Sequence, residues 1–114
     1  MNEEYRDIPF YEDYQASNMG NIVRKKDGVI LKQYPQKSGY MSVILNRGYG
    51  NTYIPVHRLV ALAFHGTEGY KQGLFVDHID TNRANNNADN LHWVTPKENS
   101  NNELTLKKRR NGKI

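Results

Sequence analysis

The sequence predicts an α+β fold: a small amino-terminal antiparallel sheet, followed by a strand–loop–strand–helix unit. Three stretches carry that prediction. Tyr40 to Asn46 alternates, with Tyr40, Ser42 and Ile44 on one side and Met41, Val43 and Leu45 on the other. His57 to His65 places Leu59, Val60, Leu62, Ala63 and Phe64 at helical rather than alternating spacing. From Val76 to Asn102, the end of an apolar run delivers Asp77 and His78. An Asn-laden loop, a second apolar run and a helix start then follow.

Taken in order, Tyr5 to Ile8 and Tyr11 to Tyr14 are short aromatic runs, read as the first strands. Asn18-Met19-Gly20-Asn21 is a turn, because Gly20 accepts positive φ. Asp27-Gly28 is a hairpin turn joining Asn21–Arg24 to Val29–Leu31. Gln33 to Ser38 reads as a loop with one proline. The alternating strand comes next, then a turn at Gly48 to Asn51. Thr52 to Val56 returns, with Pro55 marking an edge or a strand end. The helix from His57 stops at Gly66, and Thr67 to Gly73 reads as a loop into the strand that ends at Asp77-His78. After Leu91 to Thr95, Thr95 caps a helix whose first turn holds Pro96 and Glu98. Glu98 stands three residues after Thr95, the capping-box spacing, and proline takes the first helical position. That helix is expected to run through Glu103 and toward Lys108.

At 114 residues the chain has room for one domain, or two small lobes sharing a core. Lys and Arg outnumber Asp and Glu by 16 to 12, a net charge of +4, which suits a polyanionic partner. With no cysteine, a disulfide framework and thiolate zinc sites are excluded, leaving metals held by oxygen and imidazole. No apolar stretch reaches membrane-spanning length, and the first residues are acidic and polar. The expectation is a soluble cytoplasmic protein without a membrane partner.

Adjacent strand residues point to opposite faces, so Asp77 and His78 cannot serve one spot unless the strand ends there. At a strand end, beside a divalent ion, they can divide the work: one holds the metal and the other faces the substrate. Asp80 and Asn82 are turn formers that also orient the loop. Asn87 and Asn90 are suited to bridging backbone groups across it, and Asn99 faces back toward the strand pair from the last helix. Lys107, Lys108, Arg109 and Arg110 form a basic tail fit to contact phosphates. Tyr34, Tyr40, Tyr49 and Tyr53 interleave with Lys32, Lys37 and Arg47, either as a nucleic-acid face or as a tyrosine-rich sheet surface.

Together, Asp77-His78 in VDHID, Asn90 in NNADNLHWVT and Asn99 in PKEN resemble the HNH nuclease motif, the beta-beta-alpha-metal fold. YRDIPFYEDYQASNMGNIVR resembles the small module that precedes this motif in phage and intron-encoded homing endonucleases. VHRLVALAF before the motif continues the likeness, which covers nearly the whole chain. The resemblance implies that His78 is the general base that activates water, and that Asp77 and Asn99 are metal ligands for Mg2+, with Mn2+ as an alternative. It implies that Asn90 braces the loop and orients the base. His57 and His92 have no assigned catalytic role in it. His57 is read as capping or bracing the helix it opens, and His92 as touching phosphate or the rim of the site.

The module usually opens with a tryptophan, where Tyr5 stands here near Asp7-Ile8. Longer relatives carry a carboxy-terminal helical DNA-binding domain, and the chain is expected to lack it. The expected organisation is an amino-terminal β module at 1–56 with a possible DNA-contacting face, a helix plus nuclease motif at 57–106, and the basic tail at 107–114. The expected partner is double-stranded DNA, bound by a monomer or a homodimer. The expected function is metal-dependent hydrolysis of DNA by a single-metal, histidine-base mechanism. The main rival is a non-catalytic nucleic-acid-binding protein that retains the fold. A tyrosine-based RNA-binding surface is a further rival, but it leaves Asp77, His78 and Asn99 without a shared purpose.

Overall fold

A computed structural model of the chain describes residues 2–46 and 50–98. Its first sheet is four-stranded: β1 (Tyr5–Ile8), β2 (Tyr11–Ser17), β3 (Ile22–Arg24) and β4 (Val29–Ile30), in that order. All neighbours are antiparallel. β2 runs to Ser17, beyond the expected end at Tyr14, because Gln15 and Ala16 pair with both β1 and β3. The Asp27-Gly28 turn joins β3 to β4 as expected, with the Gly28 N–H donating to the Arg24 carbonyl.

The second sheet has three strands, β5 (Tyr34–Pro35), β6 (Met41–Asn46) and β7 (Asn51–Pro55), in that order. β5 lies in what sequence reads as loop. Two residues carry no periodicity, and only pairing with Met41 and Ser42 makes them a strand. In β6 the alternation holds for Val43 and Leu45, which are fully buried. Ser42, on the opposite side, is buried too, so both faces of this strand are partly covered. Pro55 ends edge strand β7 and caps the next helix, a position where its missing N–H costs nothing. Of the expected turn at 48–51, residues 48 and 49 lie outside the described residues, and Asn51 already belongs to β7.

Helix α1 spans Val56–Phe64 and buries Val56, Leu59, Val60, Ala61 and Leu62. A four-residue helix, α2 (Glu68–Lys71), replaces the expected loop. Gly69 allows it: a Cβ there would fall 2.3 Å from Cγ of Trp93, so the bare backbone packs flat on the indole. A distant contact, absent from local sequence, thus decides this element. The chain then enters β8 (Phe75–His78), a long loop with a single helical turn at Ala88–Asn90, and β9 (Leu91–Val94). β8 and β9 form a third, antiparallel sheet. The capping box is present, with the Thr95 N–H donating to Glu98 Oε1 at 2.8 Å and the Glu98 N–H donating to Thr95 Oγ1 at 3.1 Å. Residues 96–98 are helical; the rest of that expected helix lies outside the described residues.

One core joins these parts. Ile8, Ala16 and Ile22 of the first sheet, Val43 and Leu45 of the second, Leu59 and Val60 of α1, and Leu91 of β9 belong to a single buried cluster. Each Ile, Leu and Val side chain among them contributes about 1.5–3 kcal/mol by leaving water. Tyr14 ties the first two sheets together: its ring is buried and its hydroxyl accepts from the Asn46 N–H at 3.1 Å. The core thereby fixes the turn of the first sheet against the loop between β8 and β9. The Ala88 N–H donates to the Asn18 carbonyl at 2.8 Å. Gly20, at φ +89°, lies so close that a Cβ would sit 3.0 Å from the Asn86 carbonyl oxygen.

Candidate active site

The site is built where β8 ends. Asp77 pairs directly with His92 across the β8–β9 ladder, and His78 pairs with Leu91. Successive residues point to opposite faces. Asp77 and His92 therefore share one face, and His78 belongs to the other.

On the Asp77 face, Nε2 of His92 lies 3.0 Å from Oδ2 of Asp77. Asp77 is buried at 3% exposure, whereas the His92 side chain is half exposed. Both border a cleft of about 280 Å³, completed by Ile79, Val94 and Glu98. The Glu98 carboxyl is held below its ordinary range by the Thr95 backbone hydrogen bond first, then by the Thr95 hydroxyl, with a smaller contribution from the charge of His92. Oxygen and imidazole donors at a solvent-open cleft suit a divalent ion of the magnesium or manganese type. Among the described residues no three His, Asp or Glu side chains form a complete metal-binding group.

On the other face, His78 is 5% exposed and its Nε2 lies 2.8 Å from Oδ1 of Asn86. An amide oxygen only accepts, so Nε2 carries the proton and Nδ1 keeps its lone pair. The His57 ring meets the His78 ring edge-on at 5.2 Å, and Tyr40 packs against both, 4.8 Å from His57 and 5.8 Å from His78. The Arg83 guanidinium lies 4.8 Å above the Tyr40 ring. His57 does not cap α1, since Pro55 is the cap and no side chain bonds there; its ring is turned inward against His78. Nδ1 of His57 is buried without a hydrogen-bond partner. Burial pushes its pKa down to about 3, helped by the charges of His78 and then Arg58.

The intervening loop is held by its own polar side chains. Asp80 Oδ1 accepts from the Asn82 N–H, Asn82 Oδ1 from the Ala84 N–H, and Asn85 Oδ1 from the Asn87 N–H. These are Asx turns in series, a local chemistry in which Asn and Asp excel. Asn90 closes the loop: its Oδ1 accepts from the Asp80 N–H, and its Nδ2 donates to Asp80 Oδ1 and the Asn85 carbonyl. Asn85 Nδ2 also donates to Asp80 Oδ2 at 2.8 Å, and the Asp80 carboxyl is held below its usual range by this bond first, then by the Asn82 N–H, then by Asn90.

The structure thus gathers Asp77, His78 and Asn90 around one strand end. Asn90 ties the loop, but the amide that meets His78 belongs to Asn86. Asn99 and the tail residues Lys107, Lys108, Arg109 and Arg110 lie outside the described residues. Sequence reading missed Asn86 because nothing local distinguishes it from Asn85 and Asn87. It left His92 at the rim because the register of a hairpin with so long a loop is not readable from the chain.

A two-stranded hairpin with a capped helical turn behind it, presenting an acid on one face and an oriented imidazole on the other, is a beta-beta-alpha arrangement. The sequence model described as HNH endonuclease matches residues 55–101, and that of the NUMOD4 motif matches residues 3–46. The chain is 45% identical over 103 residues to DNA endonuclease I-HmuI of Bacillus phage SP01, covering 90% of this chain and 58% of that protein. It is 31% identical over 96 residues to the H-N-H endonuclease F-TflII of Escherichia phage T5, covering 84% of this chain and 50% of the relative. A solved structure described as DNA binding and cleavage by the HNH homing endonuclease I-HmuI matches with a TM-score of 0.77, at 45% identity, over 90% of this chain and 58% of that one. The matches define an HNH/NUMOD4 homing-endonuclease-like domain, homologous to I-HmuI. It spans a little over half the length of I-HmuI. Among the described residues no helix is long and apolar enough to cross a membrane.

Proposed function

We propose that this chain is a metal-dependent endonuclease that hydrolyses phosphodiester bonds of double-stranded DNA, with His78 as general base. The observation that carries the reading is the Asn86–His78 hydrogen bond, which keeps the proton on Nε2 and leaves Nδ1 able to accept one from water. Asp77 and Asn99 are the assigned ligands of one divalent ion, Mg2+ or Mn2+. When bound, that ion supplies positive charge to offset the leaving 3′ oxygen. Asn90 holds the loop that carries Asn86, so it acts on the base at one remove. Tyr40 and His57 wall the ring in and limit its rotation.

DNA contact is assigned to the basic tail, Lys107, Lys108, Arg109 and Arg110, which meets the backbone without reading bases. The division into a β module at 1–56 and a nuclease unit at 57–106 is kept as a functional one, since a single core runs through both. One set of active-site residues per chain supports nicking by a monomer; a homodimer would cut both strands.

The test is cleavage of supercoiled plasmid by purified protein with Mg2+ or Mn2+ and with chelator. Wild type should nick in the presence of either ion and stop with chelator. His78→Ala should bind DNA and metal yet lose cutting by roughly a hundredfold or more. Asp77→Ala should lose metal binding as well. DNA binding without cutting under any ion would leave a non-catalytic binding protein.

A further inference from the structure

We infer that His92 is a third protein ligand of the divalent ion at Asp77, and that its imidazole biases the site toward transition ions such as Mn2+ over Mg2+. This rests on the nuclease reading above and extends its ligand set beyond Asp77 and Asn99.

The geometry carries the assignment. Asp77 and His92 are direct partners across the β8–β9 ladder, so their side chains rise from the same face. Nε2 of His92 and Oδ2 of Asp77 are 3.0 Å apart. Carboxylate and imidazole ligands sit about 2.1 Å from a small divalent ion, and two at a right angle in an octahedron are then about 3.0 Å apart. The two donor atoms therefore stand at a separation that one shared ion can bridge with both as neighbouring ligands. In the metal-free contact a proton on Nε2 bridges the pair. An ion about 2.1 Å from both atoms lies to one side of the line between them, and it needs the ring proton on Nδ1 so that the Nε2 lone pair is free to bind.

Burial sets the direction of entry. The Asp77 side chain is 4% exposed, whereas that of His92 is 50% exposed, so the cleft opens on the His92 side. Glu98 borders the same cleft, but its Oε1 is engaged by the Thr95 N–H. It lends negative charge nearby while Asp77 and His92 supply the donor atoms. An imidazole nitrogen binds manganese, cobalt and nickel better than it binds magnesium, which favours oxygen donors throughout.

The experiment is pulsed electron paramagnetic resonance on the untagged chain loaded with Mn2+, reading nitrogen coupling to the metal. Wild type should show a directly bound imidazole nitrogen. His92→Gln should lose it, while His78→Ala should keep it. Mn2+ affinity should fall roughly tenfold or more in His92→Gln, and Mg2+ affinity by less. His92→Asn serves as the second variant, with circular dichroism confirming the fold of each. Bound Mn2+ without nitrogen coupling in wild type, or coupling that survives His92→Gln, overturns the assignment and leaves the nuclease reading intact. No Mn2+ binding at all, with no plasmid cutting, sinks the nuclease reading and this assignment with it.

Discussion

Oδ1 of Asn86 accepts a hydrogen bond from Nε2 of His78 at 2.8 Å, and both side chains are buried. The contact fixes the tautomer and the orientation of the imidazole at once, because a buried N–H without an acceptor would be costly. Asn86→Ala should therefore lower the single-turnover nicking rate by roughly tenfold to a hundredfold, as loss of an orienting partner does elsewhere. Stability should fall by about 1–3 kcal/mol for the stranded donor. Mn2+ affinity should be unchanged, since Asp77 lies on the other face. An unchanged nicking rate in a folded Asn86→Ala protein would remove Asn86 from the mechanism.

Asn86 is itself positioned by the first sheet. A Cβ on Gly20 would sit 3.0 Å from its carbonyl oxygen, whereas one on Gly28 would meet nothing within 4 Å. Both glycines have positive φ, +89° and +70°, so an alanine at either carries about 1–2 kcal/mol of backbone strain. Gly20→Ala and Gly28→Ala should thus both lower the thermal midpoint. Only Gly20→Ala should also slow nicking at a temperature where both variants are folded. Equal rates in the two would show that the turn does not hold the loop in register.

His57 makes stability depend on pH. Its folded pKa is pushed down to about 3, mainly by burial, from an ordinary value of 6.5. Between those values the unfolded chain binds a proton that the folded chain refuses. The stabilisation is complete above 6.5 and is lost as pH falls toward 3. The loss should reach on the order of a few kcal/mol. Urea melts across that range should show it, and His57→Phe should flatten the curve while keeping the contact with Tyr40. The same acid slope in His57→Phe would place the titrating group elsewhere.

The tail assignment is read from salt dependence. Replacing Lys107, Lys108, Arg109 and Arg110 with glutamine should weaken binding to unrelated duplexes alike. The slope of log affinity against log salt should flatten by up to roughly 0.9 per lost phosphate contact. An unchanged slope would take the tail out of the interface.

What the sequence determined by itself lies within short reach along the chain. The Asp27-Gly28 turn, the alternation of Val43 and Leu45, the helical spacing from Leu59 to Leu62 and the Thr95–Glu98 capping box each form between residues a few positions apart. Such contacts depend on residue type and spacing, so they are written in the local pattern. The adjacency of Asp77 and His78 at a strand end was also local, and strand alternation places their side chains on opposite faces.

Only the tertiary structure decided which residues meet across that division. Asn86, and neither Asn85 nor Asn87, reaches His78 because the loop's Asx turns and the Gly20 contact set its register. The His57 ring, in the first turn of α1, packs on His78 because α1 is pinned by its apolar face to the common core. His92 stands opposite Asp77 because β8 and β9 pair with His78 against Leu91, a register in which Leu91 is buried in the core. Each of these contacts joins segments far apart in the chain. Their geometry follows from burying one shared core, a constraint that no local spacing contains.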